Sequence, residues 1–301
     1  MAFTSVTIQP QLLTGVLARP EELPRVQEFR VASYNAWNLF GEAHDVYSSR
    51  PSDPASDEQL DALAKMILNL HADAIAFQEV QNEKVLASLF RERVNPKIKD
   101  APYRFTTFVC IPARDPRGIN VALATRLAVR GSVTFHDREF GPSDDNAVRF
   151  SRDLLGVELF ATPEYRFLMF VAHLKSKMGG DEATGKRRLE ATEIRTILQD
   201  PQMGGNPYLD QDLVLCGDMN DDPDSDVVRI LTAGAAPGAT PLRDVLGSFK
   251  SYPTHKKYKK TRLDYILASP TISIQEPEVH TDEPAAVASD HYPVSATVRV
   301  K

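Results

Sequence analysis

The chain has 301 residues, with 41 acidic and 35 basic side chains and a net charge of −6, a balance that argues against a dedicated nucleic-acid coat protein. No apolar run approaches the ~20 residues of a membrane-spanning helix, and MAFTSVTIQPQLLTGVLARPEE at the start lacks the basic segment and apolar block of a signal peptide. Cys110 and Cys216 lie far apart inside apolar stretches, against both a disulfide framework and a CxxC zinc knuckle, so a reducing cytoplasm is the expected compartment.

Residues 1–27 read as an N-terminal extension packed on one domain spanning 28–301. The first strand is predicted at FRVASYNAWNLF (29–40). The Pro/Ser/Asp stretch 48–58 reads as a surface loop. A helix follows over 57–70, with apolar positions Leu60, Leu63, Ala64, Ile67 and Leu68 and with Ser56 or Asp57 as N-cap. Further strands are predicted at AIAFQEV (74–80), YRFTTFVCI (103–111), INVALATRL (119–127) and YRFLMFVAHL (165–174). A second helix is expected over 186–199, then a strand at LVLCGD (213–218), a short helix over 226–231, and strands at LDYILAS (263–269) and YPVSATVRV (292–300). Many of these strands are apolar throughout, as expected when both faces are covered. Strands spread from end to end, with helices in both halves, predict one intertwined α/β domain.

Polar residues cluster where these apolar strands end. LVLCGDMNDDPDSD (213–226) delivers Asp218 and Asn220 directly after a strand, two apart and so on one side while the chain stays extended. The later acids Asp221, Asp222, Asp224 and Asp226 read as a cap for the next helix. An EF-hand fails here, because Pro223 stands where Gly is required and Arg229 where the bidentate Glu should be. SDHYPVSATV (289–298) sets Asp290 and His291 before the last strand, and a positioned His moves protons near neutral pH. Asp264 in RLDYILAS could fix the tautomer of such a His. AFQEV ends on Glu79, a costly place for an unpaired charge. Asn35 in SYNAWNLF could orient Glu79 or a metal, and VAHLKSK ends a strand on His173, followed by Lys175 and Lys177.

In order, Asn…Glu…His…GDxN…Asp…SDH resembles the endonuclease/exonuclease/phosphatase superfamily, which includes deoxyribonuclease I, abasic-site endonucleases, inositol-polyphosphate 5-phosphatases and neutral sphingomyelinases. The resemblance runs from about residue 29 to the end. It implies a four-layered α/β sandwich, two mixed sheets face to face with helices outside, and Mg²⁺- or Mn²⁺-dependent hydrolysis of a phosphate ester. Carried over by motif, Glu79, Asn35 and Asp290 belong to the metal site, with Glu79 a direct ligand. Asp218 would align or activate water or bind a second metal, and Asn220 would hold the scissile phosphate. His291, oriented by Asp264, would be the base or a phosphate partner, with His173 a second imidazole on the phosphate.

The segments VAHLKSK, GDMNDDP and TRLDYIL depart from the abasic-endonuclease and 5-phosphatase wordings, and the set looks most like bacterial nuclease-like members. FKSYPTHKKYKKTR (249–262) holds six Lys/Arg and no acid, and KSKMGGDEATGKRR (175–188) holds five with two acids. Lys175, Lys177, Arg187, Lys256, Lys257, Lys259 and Lys260 are therefore expected to meet a polyanionic backbone. The expectation is a monomeric nuclease of low sequence specificity, acting on DNA or RNA without a membrane partner. The alternatives are a phosphatase or phosphodiesterase of a small molecule or lipid headgroup and, further off, an inactive binding module.

Overall fold

The inward sides of the central strands carry apolar residues at alternate positions, and those rows meet to make the central core. The computed structural model describes residues 26–41, 53–143, 146–200, 207–234, 240–249, 253–256, 261–282 and 284–301. Most of the expected N-terminal extension lies outside them. In chain order the elements are β1 (Glu28–Leu39), α1 (Asp57–Asn69), β2 (Ala74–Val80), α2 (Glu83–Leu89), β3 (Thr107–Cys110), β4 (Asn120–Thr125), β5 (Ala128–Thr134) and β6 (Leu154–Phe160). They continue with β7 (Arg166–His173), α3 (Gly180–Gln199), β8 (Leu213–Asp218), α4 (Asp226–Ala233), β9 (Arg243–Asp244), β10 (Asp264–Ala268), β11 (Ile274–Val279), α5 (Ala285–Ala288) and β12 (Val294–Arg299).

Two six-stranded mixed sheets result, ordered β11-β12-β1-β2-β4-β3 and β5-β6-β7-β8-β10-β9. Between them pack Val31, Ala76, Leu123, Val171, Cys216, Ile266 and Ala296, among others. The opposite parity of the same strands faces helices. Tyr34, Ile75 and Phe77 pack on Leu63, Met66 and Leu86 of α1 and α2, while Leu168, Phe170 and Leu215 pack on Ile194, Leu198 and Val228 of α3 and α4. Burial on both faces is why β2, β4, β8 and β10 are apolar almost throughout. This is the expected α/β sandwich, helices outside two facing sheets.

Each sheet has one parallel pair at its centre, β1 with β2 and β7 with β8. Parallel strands finish at the same edge, so Asn35, Glu79, His173 and Asp218 all come to strand exits. β12 and β10 run antiparallel to β1 and β8, so their entries, with Asp290, His291 and Asp264, join that edge. Topology alone thus gathers six distant segments.

Capping sets the helix starts. Ser56 Oγ accepts from Gln59 N at 3.2 Å before α1. Ser225, rather than the acids before it, caps α4 through Val228 N at 3.2 Å. α3 begins six residues earlier than the periodicity suggests, and its added first turn already buries Ala183.

Candidate active site

The inward rows of four strands change from apolar to polar toward this edge. Val171 gives way to His173, Cys216 to Asp218, Ile266 to Asp264, and Val31 to Ser33 and then Asn35. In register, His173 and Asp264 both sit beside Asp218, one on each neighbouring strand. Gly217 makes this possible. Its φ is 151°, and a Cβ there would overlap the carbonyl of Ala172.

Asp218 is the hub. Its Oδ1 accepts from Asn220 N at 2.9 Å, and its Oδ2 accepts from Asn35 Nδ2 at 3.3 Å. The same Oδ2 lies 3.5 Å from His173 Nε2 and 3.7 Å from His291 Nε2. Burial pushes its carboxyl up to about 7; the charges of Asp264 and Glu79 add to this, while His291 and the Asn220 amide oppose it.

His291 is buried, and its Nδ1 lies 2.8 Å from Asp264 Oδ2, so the ring donates there. Burial alone would depress this imidazole, but the Asp264 and Asp218 carboxylates outweigh it and raise it to about 10. His173 behaves oppositely. Its burial, with the positive charges of Arg152, Arg117 and His291, holds it well below the usual histidine range. Its Nδ1 is buried without a hydrogen-bond partner among the described residues.

Glu79 sits at a bulge. Phe77 pairs with Ala122 but Val80 pairs with Asn120, one residue too many on β2, and Glu79 takes φ 61°. Its Oε2 accepts from Asn38 N at 3.1 Å, and no cationic side chain pairs with it among the described residues. Glu79 has no cationic partner and Asp264 Oδ1 no hydrogen bond among the described residues, and ligand atoms of Asp218, Asp264 and His291 lie within 4.8 Å of one another, which makes a carboxylate-rich site. The residues present fit a divalent cation such as Mg²⁺ or Mn²⁺.

Three expected details differ. Asn35 donates from Nδ2 to Asp218 and its Oδ1 accepts from Trp37 N at 3.0 Å, so it orients Asp218 rather than Glu79. Asn220 is not extended; its φ is 50°, and its Nδ2 donates to Leu174 O at 3.0 Å. Arg187 is not a surface contact. It is buried, paired with Asp221 at 3.0 Å and bonded to the carbonyls of Lys175 and Ser176, so it fastens the loop after β7.

The other cations are divided. Lys177 Nζ lies 2.5 Å from Asp222, and Lys175 Nζ donates to Ser176 Oγ at 3.3 Å and Met178 O at 3.1 Å. Lys256 Nζ donates to the carbonyls of Ala285 and Ser289, fastening the segment that carries Asp290. Lys257, Lys259 and Lys260 lie outside the described residues. The sequence reading passed over His255, whose Nε2 lies 3.6 Å from Asp290 Oδ2 and whose ring packs 4.6 Å from that of His291. It also passed over Arg152, buried behind His173, with Nη1 2.9 Å from Leu174 O and Nε 3.0 Å from Asp115. Neither has a sequence signature; a His among lysines and a lone Arg before a strand read as surface.

Among solved structures the fold matches the human nocturnin catalytic domain with bound sulfate, at TM-score 0.62, 17% identity, 91% of this chain and 94% of that one. A humanized D. rerio TDP2 matches at TM-score 0.62, 14% identity, 91% and 100% coverage. A mannosyl-6-phosphatase of Bacteroides thetaiotaomicron matches at TM-score 0.58, 18% identity, 90% and 100% coverage. At such identities the likeness establishes the fold. No match was found among curated proteins. The family model for the Endonuclease/Exonuclease/phosphatase family matches residues 32–291, spanning every strand exit and entry that meets at Asp218, and the chain belongs to that family.

Proposed function

We propose that the protein hydrolyses phosphodiesters with Mg²⁺ or Mn²⁺ and that its substrate is nucleic acid, cleaved with little sequence preference. The observation that carries the reading is the convergence on Asp218 of His173 Nε2 and His291 Nε2 at 3.5 and 3.7 Å, beside an uncompensated Glu79.

Glu79, with Asn35 and Asp290, would hold the cation, which as a Lewis acid polarises a phosphoryl oxygen and offsets developing charge. Asp218 accepts the proton of the attacking water; raised to about 7, it is matched to neutral pH. His291 works as a cation rather than a base, because Asp264 and Asp218 keep it protonated while its Nε2–H meets a phosphoryl oxygen. His173, neutral, offers Nε2 on the other side of Asp218. Asn220, braced on Leu174 O, faces the phosphate as a neutral donor.

One observation favours a second reading, a small phosphoester. Arg187, Lys177 and Lys256 are occupied by protein groups, which leaves fewer cations for a long polyanion. The mannosyl-6-phosphatase with the same fold suits that reading. Plasmid DNA, single-stranded DNA, RNA, inositol phosphates and a sugar phosphate, each with Mg²⁺, Mn²⁺ or EDTA, separate the two. Polynucleotide cleavage is expected. Turnover of the phosphomonoesters alone would overturn the nucleic-acid part.

A further inference from the structure

The single tryptophan, Trp37, is 42% exposed immediately beyond Asn35. A ring of this size is ordinarily buried, and its backbone is unusual too. Trp37 and Asn38 have φ of 51° and 53°, a left-handed pair that non-glycine residues adopt at a cost of roughly 1 kcal/mol or more each. They form a bulge: Asn35 pairs with Gln78 and Leu39 with Val80, four steps along β1 against two along β2.

The hydrogen bonds account for the strain. Trp37 N donates to Asn35 Oδ1 and Asn38 N to Glu79 Oε2, so the bulge holds two residues of the metal site. Gln59 Nε2 donates to Trp37 O at 3.1 Å, pinning the bulge to α1. The indole is thereby turned out on a braced backbone, rigidly tied to the chemistry.

Trp37 borders a groove of about 850 Å³ whose walls include apolar Phe40, Pro54 and Val287 together with one acid, Asp53, and one base, Arg117. Arg117 lines the groove while its Nε lies 3.3 Å from Asp115 Oδ1, and the groove meets the reaction centre through Asn38, whose backbone N–H donates to Glu79. An exposed indole face above a volume beyond that of one sugar ring matches a flat heteroaromatic group.

We propose that Trp37 is a stacking platform for an unpaired nucleobase next to the scissile phosphate, making this groove a base subsite that favours single strands. Duplex bases are already stacked and cannot present a face to the indole. The proposal rests on the nucleic-acid reading above and adds a subsite to it. It also moves the basis of substrate binding away from basic loops toward an aromatic contact.

Because Trp37 is the only tryptophan, its emission reports the subsite directly. The probes are a single-stranded DNA octamer, an abasic strand of the same length, and mannose 6-phosphate, each titrated in EDTA to prevent cleavage. The octamer should quench the emission and bind about tenfold more tightly than the abasic strand. With Mn²⁺, Trp37→Ala should raise KM for the octamer about tenfold while changing kcat less, and Trp37→Phe should retain most of the affinity. Circular dichroism checks that the variants fold. Equal binding of the two strands, or an unchanged KM in Trp37→Ala while the octamer is cleaved, overturns the subsite and leaves the nuclease reading standing. Quenching by mannose 6-phosphate alone assigns the groove to a sugar and overturns the proposal. No cleavage of the octamer by the wild type overturns both.

Discussion

His291 donates from Nδ1 to Asp264 Oδ2 at 2.8 Å, and this bond joins the entry of one sheet's last strand to a strand of the other sheet. It makes His291 a fixed cation. Asp264→Asn keeps the shape but removes the charge, and should lower kcat by about 10³-fold. The His291 titration followed by NMR should move down from about 10. An unchanged titration with full activity would remove Asp264 from the account.

Glu79 has no cationic partner among the described residues, and a metal would supply one. Glu79→Gln should weaken Mn²⁺ binding at least about tenfold by calorimetry, with the far-ultraviolet spectrum preserved. Wild-type affinity in the variant would mean that the cation sits elsewhere.

Gly217 lets β7 and β8 approach at the row that carries His173 and Asp218. With φ 151° and the Ala172 carbonyl where a Cβ would go, Gly217→Ala should cost about 2–4 kcal/mol in urea unfolding. A neutral result would show that the strands can part there without penalty.

Arg187 and Asp221 are a buried pair, and Arg187→Ala leaves the carboxylate with the more distant Lys177 Nζ at 3.9 Å, so it should destabilise by about 3 kcal/mol. KM for a short oligonucleotide should hardly move. A raised KM with unchanged stability would return Arg187 to substrate binding.

Without metal, stability should depend on pH through His291. Its folded value, about 10, lies above the unfolded one, so the native state keeps a proton that the unfolded chain releases. That contribution is complete below about pH 6.5 and is lost as pH rises toward 10, by up to about 1.4 kcal/mol per unit. Urea unfolding in EDTA between pH 6.5 and 9 should show the decline in the wild type and a shallower one in His291→Gln. Parallel curves would contradict the assigned charge.

What the sequence disclosed follows burial. AIAFQEV and LVLCGD match β2 and β8 at both ends, because both faces of these strands are covered and their polar residues come only toward the exit. β5 and β11 went unread because each is a sheet edge, half-exposed, with Gly131 in one and Pro277 in the other. β6 was hidden by Gly156, which reads as a break but makes room for the ring of Phe170. The residues gathered at Asp218 were legible as polar ends of apolar runs. The bulges at Trp37 and Glu79 were not, since positive φ in non-glycine residues leaves no mark in composition. The basic loops misled at Arg187, whose charge neutralises Asp221 instead of facing solvent.

The central claim is that Asp218 takes a proton during cation-assisted hydrolysis of a phosphodiester. It is tested most directly with bis(p-nitrophenyl) phosphate, comparing the wild type and Asp218→Asn, each in EDTA and after Mn²⁺ is restored. The account predicts wild-type turnover that EDTA abolishes and Mn²⁺ restores, and a loss of about 10³-fold in Asp218→Asn. Turnover that survives EDTA, or equal rates in the two proteins with Mn²⁺, would contradict it.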